Sequence, residues 1–148
     1  MPIQQVSVFL DNRPGSLSEV IAYLDKSKIK IFALSIADAG EFGLIRMITE
    51  EPRKATKILE AADFYLAKSK KNIEVIVILI TENDTVSRIA KILAENGLNI
   101  DYAYSSAVHL NGKFALVLRV SDLDKAETIL DENNITILSF DEIKKSFK

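Results

Sequence analysis

Apolar positions along the chain follow two spacings, and the alternation between them repeats. Residues 3–10 are rich in branched side chains and predict a strand. Leu17, Val20, Ile21 and Leu24 then fall at i, i+3, i+4 and i+7, which predicts an amphipathic helix over residues 16–26. Ser16 with Glu19 three residues later has the form of a capping box at its start. Residues 30–37 predict a second strand, Ala39, Gly40 and Glu41 a turn, and residues 42–49 a third strand. Pro52 opens a second helix, with Ala55, Ile58, Leu59 and Ala62 as its apolar face. Residues 64–67 predict a short fourth strand.

A shift of 69 positions lays the chain on itself: Val6, Val8 and Leu10 fall on Val75, Val77 and Leu79, and Leu17, Val20 and Leu24 on Val86, Ile89 and Leu93. The shift becomes 73 at Ile45 and Arg46, which fall on Leu118 and Arg119, and 71 at Ile58 and Leu59, which fall on Ile129 and Leu130. A small domain used twice is expected, with modules at residues 1–70 and 72–148. The second module reads as strand 73–81, helix 85–96 with Gly97 at its end, strand 99–109, a turn at Asn111 and Gly112, strand 113–121, helix 124–132 and strand 135–140. The order β-α-β-β-α-β is the ferredoxin-like arrangement, an antiparallel sheet with two helices on one face, in an α+β chain. Residues 75–80 contain no polar position, so both faces of that strand should be buried, against another sheet of the same chain or of a second copy. The segment 67–72, with Lys68, Lys70 and Lys71, reads as a short charged linker that holds the modules side by side.

Between the first strand and helix stand Asp11, Asn12, Arg13, Pro14, Gly15 and Ser16. Pro and Gly supply the angles of an ordinary turn. The same residues also suit a small zwitterion. Helix-start N–H groups at Ser16 and Leu17 would meet a carboxylate, and Asp11 or the Asn12 side-chain carbonyl would accept from an ammonium. Both readings stand at this point. Arg13 is a further candidate for the carboxylate.

Composition narrows the chemistry. The chain has 148 residues, 48% of them hydrophobic and 27% charged, with a net charge of −2. That balance argues against a nucleic-acid partner. With no cysteine, disulfides and thiolate chemistry are excluded. His109 has no second nitrogen ligand in the chain, so it is expected to be exposed and no metal is expected. The first twelve residues lack the pattern of a signal peptide, and no apolar run is long enough to span a bilayer, which points to the cytoplasm and to no membrane partner. The chain carries no Ser-His-Asp constellation, no glycine-rich phosphate cradle and no aromatic platform of the RNA-recognition kind.

LDNRPGSLSEVIAYL followed by IKIFALSIADAGEFGLIRMIT resembles an ACT domain, the small regulatory module that binds amino acids. The whole chain resembles stand-alone tandem-ACT proteins of the acetolactate-synthase-like type, with Ser35, Ile36, Ala37 and Asp38 and then Phe42 to Arg46 carrying a second motif. The resemblance implies side-by-side pairing of the two modules and a ligand where they meet. It therefore adds Tyr102, Tyr104 and Ser105 as second-module residues closing the site, Tyr104 aligning with Ser35. It also implies a reverse site of Ser35 and Asp38 with Asn83, Asp84 and Thr85. That site is expected to be weaker, because Pro and Gly are missing from its loop. The function expected is a non-catalytic amino-acid sensor without a cofactor, a homodimer, acting on a client biosynthetic enzyme. The alternative is a structural or protein-interaction module whose ligand site is lost.

Overall fold

The computed structural model describes residues 2–38, 40–110 and 113–146, with backbone alone for 107–110. Backbone proximity divides the chain into Gln4–Ile73 and a second unit of Glu74–Lys148 with Met1–Ile3. Of the predicted turn at Ala39, Gly40 and Glu41, Ala39 lies outside the described residues and Gly40 takes a positive φ of 86° between the two strands, while the turn predicted at Asn111 and Gly112 falls on residues outside the described ones.

The first module runs β2 (Val6–Asp11), α1 (Ser16–Lys26), β3 (Ile31–Asp38), β4 (Phe42–Thr49), α2 (Pro52–Ala61) and β5 (Tyr65–Leu66), after a two-residue strand β1 (Ile3–Gln4). Its sheet has the order β3-β4-β2-β5, with every pairing antiparallel. Val8 opposes Ile45 and Val6 opposes Met47, and these four side chains turn towards Val20 and Leu24 of α1 and Leu59 of α2. Phe9 and Asp11 alternate onto the opposite face, where they stand across from Leu44 and Phe42. The strand expected at 3–10 is broken at Gln5. The amide Nε2 of this buried residue donates to the Asn72 carbonyl at 2.8 Å, while its backbone N–H donates to Ile73 at 2.7 Å. The linker is accordingly structured rather than free: α3 (Lys70–Ile73) is a helical turn, and the Asn72 carbonyl also accepts from the Ser7 hydroxyl at 2.6 Å.

The second module runs β6 (Glu74–Ile80), α4 (Val86–Glu95), β7 (Ile100–Leu110), β8 (Lys113–Val120), α5 (Leu123–Glu132) and α6 (Phe140–Ser146). Strand β8 lies between β6 and β7, again antiparallel. Ile76, Ile78 and Ile80 pack with Ile89 and Leu93 of α4 and Leu130 of α5. These are the helix-facing positions that Val6, Val8 and Leu10 occupy in the first module, so the strand repeat is even-numbered rather than 69. A one-residue slip exchanges the two faces of a strand, and an all-apolar run gives the sequence no way to choose between them.

Two predicted elements differ. The strand expected at 135–140 is reduced to one bridge between Ile137 and Ile78, with hydrogen bonds from Leu79 to Thr136 and from Leu138 to Val77. From Phe140 the chain is helical, because Ser139 and Glu142 form a reciprocal capping box: the Glu142 N–H donates to Ser139 Oγ at 3.1 Å and the Ser139 N–H to Glu142 Oε1 at 3.0 Å. The helix packs on β7 and buries Ile143.

Candidate functional site

The loop after β2 is built by its own backbone. Asp11 closes the strand opposite Phe42, and its carbonyl accepts from the Arg13 N–H at 2.9 Å. Gly15 sits at φ 88°, a left-handed conformation that costs a side-chain-bearing residue energy. A Cβ there would meet nothing within 4 Å, so glycine is required by the backbone angle and not by crowding. Gly15, not Ser16, is the N-cap: its carbonyl accepts from Glu19 at 3.0 Å. The capping box expected at Ser16 and Glu19 is absent. Glu19 instead takes both carboxylate oxygens to Arg13 Nη2 at 3.1 Å, and Arg13 Nε stands 3.8 Å from Asp11.

Two features of the start of α1 follow. No side chain caps it, which leaves the first-turn N–H groups of Leu17 and Ser18 without a side-chain acceptor. Ser16, now the first helical residue, is 6% exposed, and its Oγ has no hydrogen-bond partner among the described residues. A buried hydroxyl without a partner is unfavourable by itself and is suited to an incoming polar group.

Ser16 lines a cleft of about 760 Å³, every wall of which belongs to the first module. Asp11, Arg13, Glu19 and Asp63 contribute charge to it. Phe9, Tyr23, Phe42, Phe64 and Tyr65 contribute rings. Those aromatic residues were not among the expected site residues. Alternation along β2 puts Phe9 on the same face as Asp11, and β5 pairs Phe9 with Tyr65, but that second pairing depends on a two-residue strand.

Of the other expected residues, Asn12 and Pro14 are exposed on the loop, while Gly15 and the half-buried Leu17 line a separate hollow with Ser18 and Ile21 rather than this cleft. Asn12 Nδ2 reaches the Gly40 carbonyl at 3.4 Å, while the Gly40 N–H donates to Asp38 Oδ1 at 3.0 Å, so Asn12 and Asp38 meet through Gly40. Tyr102, Tyr104 and Ser105 lie on β7 in the second module. Both strand pairs carry the same bulge, between Ile31 and Ala33 and between Ile100 and Tyr102, so Ser35 across from Arg46 corresponds to Tyr104 across from Val117: Tyr104 takes the place of Ser35 as expected, and the shift at Arg46 is 71, onto Val117, rather than 73. Arg119 Nη1 donates to the Glu74 carbonyl at 2.8 Å. The side chain of His109 lies outside the described residues.

The loop of the second module is closed on itself. Asp84 pairs with Arg88 Nη1 at 2.6 Å, and its N–H donates to Thr81 Oγ1 at 2.9 Å. Thr85 is a side-chain N-cap, accepting from the Arg88 N–H at 3.1 Å. What α1 leaves open, α4 has satisfied.

The chain is thus a duplicated ferredoxin-like α+β protein whose first module joins an uncapped helix start to a cleft through Ser16. The chain belongs to the ACT domain pair family, whose model matches residues 1–146. The family is typically regulatory and ligand-binding. Protein BT0572 from Bacteroides thetaiotaomicron is similar at 32% identity with a TM-score of 0.86, over 98% of this chain and 97% of that one. The regulatory subunit of aspartate kinase from Thermus thermophilus, in a ligand-free form, shares the fold at 13% identity and a TM-score of 0.59, over 99% and 93% of the two chains. The corresponding subunit from Thermus flavus gives 13% and 0.55, over 99% and 94%. None of the curated proteins matches the chain. No helix among the described residues is long and apolar enough to cross a membrane.

Proposed function

We propose that this protein is a non-catalytic sensor that binds a free α-amino acid where its two modules meet and transmits the event to a biosynthetic enzyme, as a detached regulatory subunit. The loop of Asp11, Asn12, Arg13, Pro14 and Gly15 anchors the ligand. The carboxylate meets the N–H groups that open α1, and the ammonium meets Asp11 or the Asn12 carbonyl oxygen. Tyr102, Tyr104 and Ser105 close the site from the second module. The observation that carries this reading is the uncapped start of α1 beside an acidic residue, since an amino acid needs donors and an acceptor side by side. The regulatory subunits that share the fold support the role. The reverse site at Ser35, Asp38, Asn83, Asp84 and Thr85 is the weaker one, because Thr85 and Asp84 are already engaged.

A thermal-shift screen of the twenty amino acids tests the reading. Ligand at a hundredfold excess over its Kd stabilises the protein by about 2.7 kcal/mol. Gly15→Val should abolish binding, and Gly15→Asn, which tolerates a positive φ, keeps the fold while obstructing the same N–H groups. Tyr102→Ala should weaken binding if β7 contributes. A melting temperature unmoved by all twenty would leave the structural-module alternative.

A further inference from the structure

The cleft lined by Asp11, Arg13 and Ser16 has more aromatic wall than anchoring two charged groups requires. Phe9 lies against Tyr65 with ring centroids 5.6 Å apart, and Tyr23 meets Phe64 edge-on, also at 5.6 Å. Phe42 and Tyr65 remain 51% and 74% exposed, so apolar ring surface is left in water around the opening. The volume, about 760 Å³, lies within the range of roughly 300–1,000 Å³ usual for small-molecule sites.

We infer that the ligand is an amino acid with an aromatic side chain, which enters this cleft while its charged ends stay at the rim. The inference rests on the loop being an amino-acid site. Ring edges and faces of opposite partial charge make an aromatic ligand a better filling for such walls than an aliphatic one. A charged side chain, or a short one such as serine's that brings a hydroxyl and no ring, would be stripped of water among the rings without a hydrogen-bond partner.

The rim selects for both ends of the ligand. Asp11, Glu19 and Asp63 set three carboxylates against the single guanidinium of Arg13, whose Nη2 already donates to both oxygens of Glu19. That surplus of acceptors receives an ammonium. The carboxylate turns to Ser16 Oγ, the buried hydroxyl lining the cleft at the positive end of α1 that has no partner of its own among the described residues. An arylalkyl amine would leave that donor unanswered, and an arylalkanoate would face the acidic rim with no cation to offset it.

Calorimetric titration of the full chain decides this. The probes are L-phenylalanine, L-tyrosine, L-tryptophan, L-leucine, L-serine and L-lysine, with phenethylamine and phenylpropionate as one-ended controls. An aromatic amino acid should bind at least about tenfold tighter than serine, lysine or either control, and Tyr65→Ala or Phe42→Ala should weaken it by up to about tenfold. Both side chains are exposed and outside the module core, so the variants fold. If serine or lysine binds best, through Gly15 and indifferently to both variants, the aromatic class is wrong and the amino-acid reading survives. If a one-ended control binds as tightly as its amino acid, the two-ended rim is wrong. If no amino acid binds at all, both readings fall together.

Discussion

At the scale of single residues, Ser16 has opposite roles in folding and in binding. Its hydroxyl is buried without a partner among the described residues, at a helix position where alanine is an excellent residue. Ser16→Ala should therefore raise the stability of the ligand-free protein by about 1 kcal/mol, the low end of what an unsatisfied buried group costs. If the hydroxyl receives the ligand carboxylate, the same change lowers affinity. Paired melting and titration measurements separate the two: a variant that is less stable without ligand would mean that Ser16 has a structural partner. The sequence marks Ser16 as important through its place before an apolar periodicity, but assigns it the wrong task. The left-handed Gly15 takes over the cap; the Pro-Gly pair announces the turn but not which residue of it caps the helix.

At the scale of elements, the periodic helices and the long strands were legible, and their ends were less so. Leu17, Val20, Ile21 and Leu24 predict α1 correctly because helix burial imposes their spacing. The pattern Ser-x-x-Glu occurs both at 16–19 and at 139–142, yet only the second is a capping box. The difference lies in the preceding backbone, which the four-residue pattern does not contain. The short edge segments β5 and 136–138 were overestimated, since a bridge or two of pairing leaves little compositional trace. The aromatic cleft escaped for a related reason: its residues come from β2, α1, β4 and the approach to β5, and nothing in a linear pattern joins them. The caps give a direct test. Thr85→Ala should cost about 1 kcal/mol because its Oγ1 accepts the Arg88 N–H. Ser16→Ala should cost nothing, although both residues stand at the same point of the repeat. Equal losses in chemical denaturation of the two variants would contradict the asymmetry between the loops.

At the scale of the whole molecule, assembly is the open step between binding and regulation. The apolar run of β6 suggested a partner copy, but Val75, Ile76, Val77, Ile78 and Ile80 are buried within one chain and make no such demand. Exposed aliphatic surface lies instead on β3, where Leu34 and Ile36 fall on one face at 38% and 53% exposure. Two adjacent aliphatic side chains left in water on a strand favour a covering surface, and closed two-fold pairing is the commonest way a chain supplies one. The homodimer expected from the sequence should then appear in light scattering as twice the 16.5 kDa chain mass, at concentrations on the order of tens of micromolar. Ile36→Lys should return it to a monomer without loss of secondary structure, because the side chain is already exposed and a buried lysine at a pairing surface carries an uncompensated charge. A wild-type monomer at that concentration would end the dimer proposal. A dimer that persists in Ile36→Lys would move its interface away from β3, and ligand added to each variant would then show whether binding and assembly are coupled.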